Sequence, residues 1–252
     1  MKSVKISYII ITWNGLSFVR ELLASMRNQM QREDVEVIIV DNHSTDGTLD
    51  FLSQTYPKLQ LVCLSENRGV AYARNVALKK AQGEYLFIVD NDIQIADEAV
   101  VGMEQYMDEH PEVGLCGCKL LYPDGMVQNS CKPYPGIREK IRALIHRDVY
   151  SIYAQQMQGD EPFEPIYLIG ACQMIRREAY QAVGDLDDTI FYGPEDCDYC
   201  LRTRNAGWSI MYLPTFSIIH HCQRRTHANP FSRLGWLHCK ALLYFYWKYK
   251  KI

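Results

Sequence analysis

Two aspartates stand one residue apart directly after an apolar segment that is typical of a buried strand. The segment covers residues 85–89, and Asp90 and Asp92 follow it. Carboxylates this close repel each other, so folding alone gives no reason to place them there. Mg²⁺ or Mn²⁺ would remove the repulsion, because hard cations prefer oxygen ligands and can share them with phosphate groups. The spacing therefore predicts a metal site that neutralises a diphosphate, unless Asp90 only caps the next segment and Asp92 lies in a solvated turn.

The elements that must position these carboxylates alternate between strands and helices. Short apolar runs predict strands at residues 4–12, 35–41, 59–64, 85–90 and 113–121. Helical spacing and end signals predict helices over 19–30, after Ser44 or Asp46 as N-cap, over 69–83 with Gly83 as the stop, and over 97–110. This alternation predicts an α/β fold with a central, mostly parallel sheet and helices on both faces.

Polar side chains follow the predicted strands, and in parallel sheets ligands bind beyond the carboxyl ends of the strands. The sequence therefore predicts a binding site at one edge of the sheet. The residues expected there are Thr12, Asn14, Asp41, Asn67, Asp90 and Asp92. No G-x-G-x-x-G follows the first strand, which argues against the usual dinucleotide site.

The chain after residue 121 is less regular. Residues 122–166 predict mobile loops that could form a lid, with one helix-like segment at 138–157. The elements predicted beyond them are a strand or turn leading into a helix at 168–184, a helix preceded by acids at 193–208, and a strand interrupted by proline at 209–221.

Composition sets outer bounds on the function. With 252 residues, 48% of them hydrophobic, the chain suits one α/β domain or one domain with an appendage. The net charge of -3 does not favour nucleic acid. The N-terminal segment lacks the features of a signal peptide, so we expect a cytoplasmic protein that could touch the inner face of the plasma membrane. The nine cysteines are then expected to be free thiols, although Cys197 and Cys200 have zinc-like spacing.

Seven short motifs occur in one order and resemble those of a family 2 glycosyltransferase. They are TWN (12–14), VDNHSTDGT (40–48), ENRGVAYARNVAL (66–78), VDND (89–92), GACQMIRREAY (170–180), PEDCDYCLR (194–202) and HH (220–221). The similarity covers residues 4 to 222 and is closest to the rhamnosyltransferase-like branch. It implies a Rossmann-like, GT-A type nucleotide-sugar-binding fold. The GGGS that often follows the histidine in relatives is CQRRTH here, which leaves the donor preference open.

The resemblance implies a role for each nucleotide-binding residue. Thr12 and Asn14 would line the nucleotide pocket, and Asp41 would accept a hydrogen bond from the N3–H of uracil or thymine. The residues implied around the ribose and diphosphate are Asn67, Gly69, Arg74 and Asp90. Two alternatives stay open: Arg74 could pair with an acid on a helix surface, and Asp41 could be a turn former.

The resemblance also implies the metal and catalytic residues. Asp92, with Asp90 and His220, would bind the metal ion, although His221 could take the place of His220 or the histidine could be a satisfied interior residue. Gly170 and Ala171 would lie beneath the sugar and the acceptor. Asp196, beside Glu195, would be the general base, whereas Asp198 more simply supports the following helix. One base is enough for an inverting transfer, because no covalent intermediate forms.

The chain is expected to divide into a catalytic domain and a tail. Residues 1–222 would form the domain, with a nucleotide-binding half at 1–121 and an acceptor-binding half at 122–222. Residues 223–252 would be a helical extension. Its aromatic and basic end, residues 240–252, predicts a helix lying on an anionic membrane, a helix packed on the domain, or a homodimer contact.

These observations lead to one predicted function and two rivals. We expect metal-dependent, inverting transfer from a UDP- or dTDP-sugar to a saccharide or lipid-linked acceptor in cell-surface polysaccharide assembly. A nucleotidyltransferase would need a Gly-rich, basic loop after the first strand, and TWNGLSF lacks one. An inactive nucleotide-binding module would tolerate loss of Glu195 and Asp196, and both are present.

Overall fold

The computed structural model of the protein describes residues 3–134, 153–222 and 232–249. A 3₁₀ turn at Gln29–Gln31 follows the first helix. The strands and helices are, in chain order, β1 (Ile6–Thr12), α1 (Leu16–Ser25), β2 (Val35–Asp41), α2 (Thr48–Thr55), β3 (Gln60–Cys63), α3 (Val70–Leu78), β4 (Tyr85–Asp90), β5 (Ile93–Gln94), α4 (Asp97–Glu109), β6 (Val113–Leu121), β7 (Cys131–Lys132), α5 (Ala154–Gln158), β8 (Tyr167–Leu168), β9 (Cys172–Arg176), α6 (Arg177–Val183), α7 (Glu195–Asn205), β10 (Ser209–His220) and α8 (Arg233–Lys248).

Eight strands form one mixed sheet in the order β3-β2-β1-β4-β9-β6-β10-β5. The first four run parallel to one another, because β1 pairs with both β2 and β4 and β2 pairs with β3. β9 is antiparallel to β4 and β6, and β10 returns parallel to β6. The predicted mostly parallel sheet is confirmed, and its strands come from both halves of the chain.

Two apolar cores cover the two faces of the sheet. Along β1, Tyr8 and Ile10 face one core and Ile9 faces the other, as the two-residue period of a strand requires. Helices α1 and α4 contribute to the first core. Helices α3, α7 and α8 contribute to the second, so the prediction of helices on both faces is confirmed.

Three predicted strands have the bounds that the sequence indicated, namely β2, β4 and β6. The end of α3 was predicted wrongly. The helix ends at Leu78 rather than at Gly83, because the N–H of Gly83 donates to the Ser7 hydroxyl beside β1 instead of continuing the helix. The chain therefore leaves the helix early in order to enter β4.

The predicted N-cap of α2 is also wrong. Gly47, with φ of 87°, occupies the cap position and has no side chain with which to cap the helix. Asp46 stands one residue earlier and accepts bonds from the backbone N–H and the hydroxyl of Thr48. A left-handed backbone at the cap suits glycine, since a Cβ would be strained there.

The tail helix, α8, covers Arg233–Lys248 and lies within the helical extension predicted at 223–252. The helix predicted at 240–252 corresponds to its C-terminal part, and residues 250–252 lie outside the described residues. Most of the helix-like segment at 138–157, and with it much of the predicted lid, lies outside the described residues.

Candidate active site

A cleft of 310 Å³ lies at the edge of the sheet where β1 and β4 end. Strand register brings the ends together, since Thr12 pairs with Asp41 and Ile11 pairs with Asp90. The cleft is lined by Ile11, Thr12, Trp13, Asn42, Asn67, Gly69, Val70, Asp90, Asn91, Asp92, Phe191, Tyr192 and Leu237. We predicted that polar residues gather at the carboxyl ends of the parallel strands, and this is confirmed for Thr12, Asn67, Asp90 and Asp92.

Asp90, Asp92 and His220 form a compact group of possible metal ligands. One ligand atom from each lies within 4.8 Å of the others. Asp92 follows β4, and His220 is the last residue of β10 and pairs with Ile93 of β5. Burial, reinforced by the charge of Asp92, raises the pKa of Asp90, while Arg74 acts in the opposite direction. Two carboxylates and an imidazole held this way suit a divalent cation.

Gln128 fixes the orientation of the His220 ring. The ring Nδ1 lies 2.7 Å from the amide oxygen of Gln128, whose amide nitrogen donates to the His220 carbonyl at 2.5 Å. Because the amide oxygen only accepts, Nδ1 carries the hydrogen and Nε2 is directed to Asp92 Oδ1 at 3.3 Å. Burial lowers the pKa of His220, but the bond to Asp92 and the charges of Asp92 and Asp90 together outweigh it, so the pKa is raised.

His221 points to a different place. Its Nε2 lies 3.3 Å from Glu21 Oε2, and its ring packs edge-on against Phe18. Of the two histidines, His220 is therefore the one that joins Asp90 and Asp92.

Arg74 connects the possible metal ligands to the pair of acids, Glu195 and Asp196, at the start of α7. It lies on α3 and is only 3% exposed. Its Nη2 donates to Asp90 Oδ1 at 2.7 Å and to the Gly170 carbonyl at 2.8 Å, while Nη1 lies 3.5 Å from Glu195 Oε1. The alternative that Arg74 pairs with an acid on a helix surface is wrong. Its guanidinium instead bridges the two acidic groups of the site.

Glu195 and Asp196 open α7 in different surroundings. Glu195 is buried, and this burial, with the charge of Asp196, raises its pKa to about 8. Asp196 is half-buried and accepts bonds from the N–H groups of Gly170, at 3.1 Å, and Cys197, at 2.7 Å. Burial raises the pKa of Asp196 while Lys132 lowers it. The raised pKa of Glu195 favours its protonated form near neutral pH, whereas at Asp196 the backbone donors oppose the upward shift that burial causes.

Gly170 and Ala171 join the acid pair to the cleft through their backbone. Gly170 donates to Asp196 and accepts from Arg74, and the Ala171 carbonyl accepts from the Asp90 N–H at 3.0 Å. A Cβ on Gly170 would lie 2.6 Å from Arg74 Nη1. Glycine leaves room here for the close approach of the arginine, and a larger residue would displace the guanidinium.

Four of the predicted nucleotide-binding residues line the cleft, namely Thr12, Asn67, Gly69 and Asp90. Thr12 Oγ1 accepts from the amide of Asn91 at 3.0 Å. Asn67 Oδ1 accepts from Asn42 and from the backbone of Gly69. Gly69 has a φ of 85°, and a Cβ there would lie 2.5 Å from the Phe191 carbonyl.

Asn14 and Asp41 are not among the described residues that line the cleft. Asn14 ties the loop after β1 to the loop after β2, through bonds with Ser44 and Thr45. Asp41 is 1% exposed, and its Oδ2 accepts from the Ser44 N–H at 3.0 Å. The turn contact proposed as the alternative role of Asp41 is therefore present. Its Oδ1 has no hydrogen-bond partner among the described residues.

Asp198 supports the packing of two helices rather than the site. It is fully buried and bonds Arg202 at 2.8 Å, Lys248 at 2.5 Å and the Tyr249 hydroxyl at 2.8 Å. These contacts hold α8 against α7. The nine cysteines are free thiols, and Cys197 and Cys200 are buried in α7.

Sequence reasoning missed several residues of the site. Trp13 and Asn42 stand next to predicted residues inside the motifs, so their positions carried a signal. Phe191, Tyr192 and Leu237 line the cleft from distant segments, and Gln128 reaches His220 across 92 residues. No local pattern indicates these contacts, because each depends on how the chain folds back.

The comparison with protein families decides the class of enzyme. The model described as Glycosyl transferase family 2 matches residues 7–184. The chain belongs to this family. It is a glycosyltransferase, as the motifs indicated, and this argues against the nucleotidyltransferase and inactive-module alternatives.

Relatives with assigned names include rhamnosyltransferases. The N-acetylglucosaminyl-diphospho-decaprenol L-rhamnosyltransferase of Mycobacterium tuberculosis is 26% identical over 94% of this chain and 82% of its own length. The dTDP-rhamnosyl transferase RfbF of Shigella flexneri is 26% identical over 84% of this chain and 67% of its own length. The rhamnosyltransferase-like resemblance seen in the motifs is confirmed.

Solved structures confirm the GT-A type of fold. The mannosyltransferase PcManGT of Pyrobaculum calidifontis, solved with GDP-Man and Mn²⁺, superposes with a TM-score of 0.66 at 22% identity. The match covers 90% of this chain and 60% of the mannosyltransferase, so this glycosyltransferase spans less than two thirds of that protein's length.

Proposed function

We propose that this glycosyltransferase transfers a sugar from a nucleoside diphosphate to a saccharide acceptor, with inversion at the anomeric carbon. The observation that carries the proposal is the Arg74 bridge. Arg74 joins two groups of residues. One group suits a cation that neutralises a leaving diphosphate, and the other is a pair of acids suited to deprotonating an acceptor. The site for the leaving diphosphate and the site for the acceptor would therefore lie side by side at one edge of the sheet.

The cleft offers suitable partners for a nucleoside. Thr12, Asn42 and Asn67 supply polar groups, and the indole of Trp13, 39% exposed, can stack on a base. Asp41 is buried and not part of the cleft lining, but its Oδ1 has no hydrogen-bond partner among the described residues and would accept from an imide N–H, such as that of uracil or thymine, that reached it. RfbF is named for dTDP-rhamnose, and the Staphylococcus aureus protein TarS was solved with UDP. These points favour a UDP- or dTDP-sugar donor.

Asp90, Asp92 and His220 would hold Mg²⁺ or Mn²⁺. An ion bound there supplies positive charge to the diphosphate of the donor. The imidazole among the ligands favours Mn²⁺, because nitrogen is a softer ligand than the oxygens that Mg²⁺ demands. Gln128 would keep the His220 ring turned to that ion.

Asp196 would take the proton of the acceptor hydroxyl. The hydroxyl oxygen bonds to the anomeric carbon as the bond between that carbon and the diphosphate oxygen breaks, and the electron pair leaves with the diphosphate. Glu195, which holds its proton near neutral pH, leaves the negative charge of the pair on Asp196. One displacement of this kind inverts the anomeric configuration.

The acceptor would be a saccharide, either free or linked to a lipid diphosphate, used in cell-surface polysaccharide assembly. The support comes from relatives, since one is named for a decaprenol-linked acceptor and another, of Myxococcus xanthus, for O-antigen biosynthesis. The cytoplasmic location and the division into 1–121, 122–222 and 223–252 stay predictions.

A transfer assay tests the proposal. The full chain is incubated with UDP-, dTDP- or GDP-sugars, with Mn²⁺ or Mg²⁺ or neither, and with N-acetylglucosamine linked through diphosphate to a short polyprenol. We expect transfer that requires the metal ion and yields a product of inverted configuration by NMR. A product of retained configuration, or equal rates with a chelator, would contradict the proposal.

A further inference from the structure

Helix α8 has two different faces. Its inner face is buried, with Ala241 4% exposed, Phe245 fully buried and the following Tyr249 9% exposed. Its outer face shows Trp236, Leu243 and Trp247 to solvent, at 75%, 72% and 63% exposure. Large apolar side chains exposed together on one element mark a contact surface more often than scattered single ones do.

The exposed residues form a continuous stripe. Positions 236, 240, 243 and 247 repeat at the spacing that puts side chains on one side of a helix. We call Trp236, Lys240, Leu243 and Trp247 the outer stripe. Lys240, also exposed, is the charged member of this otherwise apolar row.

The helix is held firmly while it presents the outer stripe. Lys248 bonds Asp187 at 2.7 Å and Asp198 at 2.5 Å, and the Tyr244 hydroxyl donates to Asp187 at 2.9 Å. Leu237, next to the stripe, lines the donor cleft. A surface that binds the stripe would therefore lie beside the mouth of the cleft.

The end of the chain that carries the outer stripe is strongly basic. The 54 residues after Asp198 contain nine lysines and arginines and no aspartate or glutamate. The first 198 residues contain 18 lysines and arginines and 30 acids. Such an asymmetry points to an anionic partner for the C-terminal part, although the whole chain is slightly acidic.

We propose that the outer stripe docks the protein on an anionic lipid bilayer. Tryptophan is enriched at the membrane interface, and basic residues beside an apolar row are attracted by anionic headgroups. In the part of the chain that the structure describes, no helix is long and apolar enough to cross a bilayer, so the contact is peripheral. A symmetric contact with a second copy would set this basic end against itself, which like charges oppose.

Flotation of the full chain with vesicles tests the docking surface. The vesicles are phosphatidylcholine alone or phosphatidylcholine mixed with phosphatidylglycerol, each at low and high salt. We expect binding to the anionic vesicles that salt weakens, and little binding to the neutral ones. The triple variant Trp236→Ser, Leu243→Ser and Trp247→Ser should bind about a hundredfold less, and Lys240→Gln about fivefold less.

A matched control uses Met126→Ser, because Met126 is 61% exposed and lies outside the outer stripe. It should bind vesicles like the unmodified protein. Circular dichroism and donor titration should be unchanged in the triple variant, which separates a failure of docking from a failure of the proposed transfer reaction.

Three results would overturn the proposal. The unmodified chain could ignore anionic vesicles, or the triple variant could bind them as well as the unmodified chain does. Sedimentation could also show that the unmodified chain forms a dimer, that the triple variant does not, and that the unmodified chain does not bind vesicles. The outer stripe would then be an interface between two copies.

Discussion

Two neighbouring carboxylates at the start of α7 have different surroundings and therefore different expected roles. Asp196 receives two backbone N–H donors and is half-buried, whereas Glu195 is buried beside Arg74. Replacing Asp196 by Asn should lower turnover about 10²–10⁴-fold, the usual contribution of a positioned base. Donor affinity should change little, because Asp196 is not among the described residues lining the cleft. Steady-state kinetics and donor titration measure the two effects separately.

The opposite pattern of effects on turnover and donor affinity would give Asp196 a different role. A large loss of donor affinity with a small loss of turnover would make it a binding residue. Full activity in Asp196→Asn would remove the general base from this position altogether.

Glu195 should make stability depend on pH. Its pKa is about 8 in the folded protein, against about 4.3 in an unfolded chain. The folded state therefore binds the extra proton between these values, and stability is lost as pH rises through that window. Glu195→Gln keeps a group that can accept from the Gly193 N–H but cannot ionise.

Thermal unfolding from pH 5 to pH 9 checks this effect. As pH rises, the unfolding temperature of Glu195→Gln should increase relative to that of the unmodified protein. The two temperatures should be closest at pH 5. A constant difference between the two proteins across the range would show that Glu195 ionises normally.

The residues of the site could be predicted from the sequence where the signal lay in neighbouring positions. Asp90 and Asp92 stand one residue apart at the end of an apolar run, where the repulsion between them itself indicates a cation, and their neighbour His220 came from the family motif. The link from Arg74 to Glu195 joins residues 121 positions apart. Such a contact depends on strand order, which no local pattern gives.

At the scale of elements, Gly69 couples the start of α3 to the loop that carries Phe191. A Cβ at Gly69 would lie 2.5 Å from the Phe191 carbonyl, and φ is 85°. Gly69→Ala should displace this wall of the cleft and weaken donor binding by about tenfold or more, since backbone atoms cannot give way cheaply. Donor titration measures the effect.

Gly125 provides a matched control for the same substitution. It also has φ of 85°, but no described residue apart from its chain neighbours lies within 4 Å of its Cβ position. Gly125→Ala should cost about 1 kcal/mol of stability from backbone strain and leave donor affinity intact. Equal donor affinity in both variants would mean that the contact with Phe191 does not shape the cleft.

The sequence predicted the ends of strands and helices correctly where the hydrophobic pattern was strong, and wrongly where tertiary contacts or backbone angles set those ends. β2, β4 and β6 are buried strands, so their apolar runs had clear ends. α3 stops early because Gly83 bonds Ser7, and α2 starts at a left-handed glycine rather than at a side-chain cap. Both corrections come from partners or backbone angles that lie outside the hydrophobic pattern.

At the scale of the whole molecule, α8 is part of the folded domain through Phe245 and Lys248. Lys248 bonds Asp187 and the fully buried Asp198. Lys248→Met should lower the free energy of unfolding by about 2 kcal/mol, because among the described side chains Asp198 then keeps Arg202 and Tyr249 alone as partners.

Urea unfolding of Lys248→Met beside Lys240→Met tests this role. Lys240 lies two turns earlier on the same helix and is exposed, so its loss should change stability by less than about 0.5 kcal/mol. Equal stability of the two variants would mean that the ion pairs of Lys248 do not hold α8 in place.

The proposed reaction depends on a metal ion that Asp90, Asp92 and His220 bind and that the donor diphosphate needs. Titration calorimetry with UDP-, dTDP- and GDP-sugars, with and without Mn²⁺, tests this requirement. At least one donor should bind with Mn²⁺ at least about tenfold more tightly than without it, and Asp92→Asn should remove this gain while the protein stays folded. Donor binding that is indifferent both to Mn²⁺ and to Asp92→Asn would contradict it.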